Sequence, residues 1–261
     1  MVALPAVIAF VLPQILPISP FGIIPVSFSM LPLNWKAVAL VWACGIVAVP
    51  TAEWGSKVPT ATVKNGTYSG VHSAEYDQDF FLGVPFAQPP VGNLRFRAPQ
   101  SLTSSWKGTK PATSYSAACI GYGSDDWPYP KLSEDCLYLN VIRPSGYENQ
   151  ELPVAFWIHG GGLTEGSSID QRYNLSFIVE RSVKIGKPII GVSTNYRLSM
   201  WGFITGEEVI QTGNANIGFR DQRLALHWVQ ENIGAFGGEL RFLYFLRASH
   251  LDWFTSTPCH V

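Results

Sequence analysis

Between residues 60 and 86, β-favouring side chains alternate with turn residues, and the Asn65-Gly66 pair inside Thr62-Val63-Lys64-Asn65-Gly66-Thr67-Tyr68 predicts a tight hairpin and an antiparallel start. Residues 85–99, interrupted by Pro89-Pro90, Gly92 and Pro99, are expected to be an ordered loop. Residues 137–143 read as a strand, and residues 153–159 as another whose unbroken apolar run implies burial on both faces. A helix is predicted over 174–185, with Phe177, Ile178, Arg181 and Ile185 at helical spacing and Gly186 placed to end it. Residues 188–195 form a third buried strand. A second helix follows over 219–233, with Ala225, Trp228, Val229 and Ile233 on one face and Gly234 after the last turn. Strand, helix, strand, helix implies an α/β chain whose later strands are parallel and covered by helices. No internal repeat or low-complexity linker interrupts it.

Composition narrows the picture. The chain has 261 residues, 47% of them hydrophobic and 13% aromatic, which is ample for a core in one large domain or two small ones. With 18 basic and 19 acidic residues and no long run of either sign, nothing points to nucleic acid or to a polybasic membrane surface. Residues 1–52 are an apolar leader. Its first 35 residues lack charge but carry too many prolines for a regular membrane helix, whereas Lys36, the apolar run 37–49 and the small residues Thr51 and Ala52 have the layout of a secretory signal, with Met30 as a candidate start. A signal anchor or an unprocessed tail is the competing reading. A cleaved signal predicts a secreted protein without stable membrane insertion.

Export brings two further expectations. Asn65-Gly66-Thr67 and Asn174-Leu175-Ser176 are acceptor patterns for N-glycosylation. Cys44 would leave with the signal and Cys259 lies near the end, so Cys119 and Cys136 remain to form a disulfide; two buried free thiols are the alternative.

The most informative stretch is Trp157-Ile158-His159-Gly160-Gly161-Gly162, where an apolar run turns into bare backbone. Successive N–H groups with no side chains in the way can converge on the negatively charged oxygen of a tetrahedral intermediate. A tight turn beneath a helix would also use glycines. His159 reads as a residue that fixes the loop, and His227, beside Trp228, as a core or surface histidine.

Several segments then resemble, in order, the type-B carboxylesterase and lipase family, the cholinesterase-like branch of the α/β-hydrolases. They are Phe81-Leu82-Gly83-Val84-Pro85-Phe86-Ala87-Gln88-Pro89-Pro90, Leu94-Arg95-Phe96, Ser133-Glu134-Asp135-Cys136-Leu137-Tyr138-Leu139-Asn140, the His159 loop, Asn195-Tyr196-Arg197-Leu198, and Asn216-Ile217-Gly218 through Asp221-Gln222-Arg223 to Phe236-Gly237-Gly238. The resemblance implies the N-terminal part of an α/β-hydrolase fold over residues 53–238, followed by a divergent tail at 239–261. It implies a serine-hydrolase mechanism in full-length relatives, a small-molecule or lipid ester as substrate, no cofactor and no metal. Gly161 and Gly162 take the place of the family's oxyanion donors, and Leu163 replaces a frequent aromatic. Arg95 with Glu134, and Arg197 with Asp221, are expected to be structural ion pairs, since a charge in an apolar setting needs a partner; four solvated surface charges are the alternative.

One part of the family pattern is missing. No Gly-x-Ser-x-Gly occurs in the 261 residues; Gly166-Ser167-Ser168 and Gly191-Val192-Ser193 lack the second glycine, and Ser249 lies between Ala248 and His250. The chain is therefore expected to lack nucleophile, acid and base, to be inactive as it stands, and to leave the strand at 188–195 without its next neighbour. A non-catalytic isoform or a cholinesterase-like binding protein is the second reading.

Overall fold

A computed structural model describes residues 58–123 and 129–247. The expected leader, with Met30 and Cys44, and Ser249, His250 and Cys259 lie outside the described residues. The hairpin forms as β1 (Thr60–Val63) and β2 (Gly66–Ser69), with Val63 opposite Gly66 and Lys64-Asn65 as its loop. Strand β5 (Thr109–Pro111) extends this small sheet along β2. A two-stranded piece joins β6 (Ala118–Cys119) to β7 (Leu132–Ser133).

Among the described residues, the main sheet has six strands. It is built from β3 (Val71–Ser73), β4 (Gln78–Pro85), β8 (Tyr138–Pro144), β9 (Leu152–Ile158), β10 (Ile190–Thr194) and β11 (Gly238–Arg247), in the order β11-β9-β10-β8-β4-β3. Strands β9, β10 and β11 run parallel, while β8 is antiparallel to both β10 and β4. The expected gap beside residues 188–195 does not exist, because β10 lies between β8 and β9 and is buried along its whole length. The strand that needed a neighbour is β9. Residues 238–247, on the divergent side of the family pattern, supply it as β11, with Leu243 opposite Val154 and Phe245 opposite Phe156.

Among the described residues, four α-helices connect these strands: α1 (Ser176–Lys184), α2 (Ser199–Phe203), α3 (Glu207–Gln211) and α4 (Ile217–Asn232). Helix α4 buries Ala225, Trp228 and Val229, and Ile233 and Phe236 continue that face, with Phe236 edge-on to Phe81 at 4.9 Å. Helix α1 docks differently from its apolar spacing. Phe177, Ile178 and Ile185 are exposed, and the packed face is Leu175, Ser176, Val179 and Ser182. Gly191 on β10 brings that face close, since a Cβ there would sit 3.2 Å from Leu175 and Val179. Ser182 Oγ donates to Val179 O at 2.6 Å and accepts from Ile189 N at 3.1 Å, so the contact uses small polar residues whose hydrogen bonds are satisfied.

Candidate active site

The loop after β9 leaves the carboxyl end of a parallel strand, where open α/β sheets place their ligands. Gly161, Gly162 and Leu163 all have positive φ, at 101°, 61° and 67°. Glycine suits the first of these, because a Cβ on Gly161 would collide with Glu165 O as well as strain the backbone. In a trans peptide the N–H points opposite the preceding carbonyl, so whatever holds that carbonyl aims the amide. Gly160 O lies 2.9 Å from His159 Nδ1. A carbonyl only accepts, so Nδ1 carries the hydrogen, and the Gly161 N–H is turned the other way. Gly161 O accepts from Thr164 N at 3.0 Å, Glu165 N at 3.1 Å and Thr164 Oγ1 at 3.1 Å, which in turn aims the Gly162 N–H. Neither glycine amide meets an acceptor among the described residues. Two aimed donors with nothing to donate to can take up charge that develops on an oxygen.

His159 is buried and stacks on Tyr196, with ring centroids 4.5 Å apart, and Tyr196 Oη donates to His159 O at 3.1 Å. Burial pushes its imidazole down to about 4, so it is neutral at physiological pH and fixes the loop. Behind the loop, Asn195 Oδ1 accepts from Ser167 Oγ at 3.1 Å and Ser168 N at 2.9 Å. Asn140 Nδ2 donates to Ser168 Oγ and Ser193 Oγ, each at 3.1 Å. Ser167 and Ser193 are thus tied to asparagines, not to an imidazole.

The remaining sequence candidates fall around this loop. Cys119 and Cys136 are joined by a disulfide with a Cα–Cα distance of 5.0 Å. Arg197 Nε and Nη2 donate to Asp221 at 2.8 and 2.7 Å, and Arg197 N donates to the same carboxylate at 3.0 Å. Burial pushes the Asp221 carboxyl up while the guanidinium holds it down, and the pair is sealed from solvent. Arg95 Nε and Nη2 reach Glu134 Oε2 at 2.9 and 2.6 Å, and Trp201 Nε1 donates to Oε1 at 3.1 Å. The Arg95 guanidinium holds Glu134 below the usual carboxylate range. Contrary to the apolar setting expected from sequence, the Arg95 side chain is 48% exposed, so solvent screens this pair. His227 is exposed. Asn65 Nδ2 donates to Ser104 O at 3.0 Å, and Asn174 Oδ1 accepts from Ser176 N at 2.9 Å; both asparagines are half-buried.

Sequence reasoning missed a second buried pair, Arg143 with Asp79, at 3.1 and 3.0 Å. The signal was present in Asp79, which stands directly ahead of Phe80-Phe81-Leu82, where the argument applied to Asp221 holds equally. His72 and Ser145 gather on the same carboxylate: Ser145 Oγ donates to Asp79 Oδ1 at 3.0 Å, and His72 Nδ1 lies 3.0 Å from Ser145 Oγ and 3.3 Å from Asp79 Oδ1. This serine, histidine and aspartate are not a catalytic relay. A relay needs the acid on one ring nitrogen and the serine on the other, whereas here both sit on Nδ1. The cluster also lies at the carboxyl end of β8, opposite the glycine loop. Among the described residues, no group of three or more His, Cys, Asp or Glu is placed to hold a metal ion, and no helix is long and apolar enough to cross a membrane.

A mixed sheet ending in parallel strands, with a glycine loop at their carboxyl ends, is the arrangement of part of an α/β-hydrolase fold. The chain matches the carboxylesterase family model over residues 57–241. It belongs to the carboxylesterase family. It is 42% identical over 203 residues to Lipase 4 of Diutina rugosa, covering 69% of this chain and 36% of that one. It is 41% identical over 212 residues to Secreted lipase 1 of Botryotinia fuckeliana, covering 73% and 36%. Among solved structures it is similar to Aspergillus niger EstA, with a TM-score of 0.65 and 37% identity over 74% of this chain and 36% of that chain. The chain therefore spans little more than a third of the relatives it matches.

Proposed function

We propose that this chain supplies the oxyanion-binding part of an extracellular carboxylic ester hydrolase acting on small-molecule or lipid esters. The observation that carries the reading is the pair of aimed, acceptor-free amides at Gly161 and Gly162. Family membership supports the ester as substrate class, and the secreted relatives support export. The disulfide agrees with an oxidising compartment, and Asn65 and Asn174 are the glycan acceptors of this reading. Arg197 with Asp221 and Arg95 with Glu134 serve as the frame that holds the loop and the disulfide segment.

The chain by itself does not turn over esters in this reading. It contains no Gly-x-Ser-x-Gly, and where Ser145 Oγ meets His72 Nδ1 at 3.0 Å, the acid on the other ring nitrogen, Asp77, stands 4.0 Å from Nε2, beyond hydrogen-bonding reach. Loss of the serine nucleophile alone lowers turnover by ~10⁶ in a serine hydrolase. Treating the purified 261-residue chain with a fluorophosphonate probe and with p-nitrophenyl butyrate is expected to give no labelled serine and only background hydrolysis. A labelled serine together with probe-sensitive turnover would overturn the inactive reading while leaving the family assignment intact.

A further inference from the structure

Three carbonyls in and after the glycine loop bear on where the Gly162 amide points, and two of them are held by one residue. Ser199 N donates to Leu163 O at 2.8 Å, and Ser199 Oγ donates to Thr164 O at 2.9 Å. Thr164 O also accepts Tyr122 N at 2.8 Å, from the segment that follows Cys119 in the disulfide loop. Each carbonyl shares a rigid peptide plane with the next residue's N–H. Holding Leu163 O therefore aims the Thr164 N–H, and holding Thr164 O aims the Glu165 N–H. Those two N–H groups converge on Gly161 O, at 3.0 and 3.1 Å, and the plane of Gly161 O carries the Gly162 N–H.

We infer that Ser199 is a positioning residue for the oxyanion site, acting on the Gly162 amide through the peptide planes at Leu163, Thr164 and Gly161. The inference rests on the reading of Gly161 and Gly162 as oxyanion donors and adds a residue and a direction to it. Two features mark Ser199 as placed for this task. Its φ is 50°, in the left-handed region that a residue other than glycine adopts at a cost. Its hydroxyl is spent on a carbonyl 35 residues away, not within its own helix. Gly121 allows the Tyr122 amide to come in on the same carbonyl, because a Cβ there would collide with Thr164 O. The disulfide loop and the glycine loop are joined at that one oxygen. The Gly161 amide is held by a separate device, His159 Nδ1 on Gly160 O, and should not depend on Ser199.

The test is Ser199→Gly. Glycine suits a φ of 50° and keeps the N–H to Leu163 O, so the variant removes the CH₂OH group, relieves the backbone strain at this position and leaves the backbone contact in place. In the ¹⁵N-glycine-labelled full chain, amide cross-peaks are compared with Gly191 in β10 and Gly234 after α4 as distant reporters. The Gly162 cross-peak is expected to shift and broaden in the variant, with Gly161 moving less and the two reporters unchanged, while the melting temperature does not fall. A Gly162 cross-peak at its original position, or reporters that move as far as Gly162, overturns the inference. No substrate enters this measurement, so its failure leaves the donor reading standing; that reading fails separately if Gly161→Ala in an active graft of residues 57–238 leaves turnover unchanged.

Discussion

At the scale of single residues, the site depends on a histidine that must stay neutral. His159 is fully enclosed against Tyr196, and burial lowers its pKa from 6.5 to about 4. The unfolded chain takes up that proton near pH 6.5 and the folded chain only near 4, so stability present above 6.5 is lost as the pH falls through this window, by about 3 kcal/mol. Urea midpoints measured between pH 7 and pH 4 are expected to fall accordingly, and His159→Asn to remove most of that slope. An equal slope in the variant would assign the effect to other groups. The loop of Gly161 and Gly162 was legible in the sequence as bare backbone that follows an apolar strand, and the structure gives both glycines a positive φ. Arg197 and Asp221 were legible because a buried charge needs a partner. Ser199 was not, since its part in the loop follows from a positive φ and two long-range hydrogen bonds that no local pattern encodes.

At the scale of elements, the disulfide loop is the piece whose contribution separates most cleanly. The Cys119–Cys136 bond closes a loop with a sequence separation of 17, worth about 3 kcal/mol in the chain-entropy account. Replacing both cysteines by serine is expected to lower unfolding stability by about that amount in urea titrations, against a change within about 0.5 kcal/mol for ordinary surface substitutions. Strands β8, β9 and β10 and helix α4 could be read from apolar runs and periodicity because their burial is two-sided or confined to one stripe. Helix α1 misled by its spacing: Phe177, Ile178 and Ile185 face outward, and the face that packs on Gly191 is the one carrying Leu175 and Val179. Strand β11 was illegible for a different reason. Parallel pairing with β9 joins residues about 90 positions apart, and no local period reports such a partner.

At the scale of the whole molecule, the sheet order places the glycine loop at the carboxyl ends of parallel strands and the His72–Ser145–Asp79 cluster at the other end. At the first end, the Gly161 and Gly162 amides meet no acceptor among the described residues. The sequence pattern places the family segment at residues 53–238; the family model matches residues 57–241, and the described sheet runs on to residue 247 through β11. The central claim is that the Gly161 and Gly162 amides stabilise an ester-derived oxyanion. The most direct test grafts residues 57–238 in place of the matching segment of an active relative and compares Gly161→Ala with the unmodified graft on p-nitrophenyl butyrate. Since a Cβ at position 161 collides with Glu165 O and displaces the donor, kcat is expected to fall by about 10²–10³-fold with KM changed little. An undiminished kcat in an active, folded graft would contradict the claim.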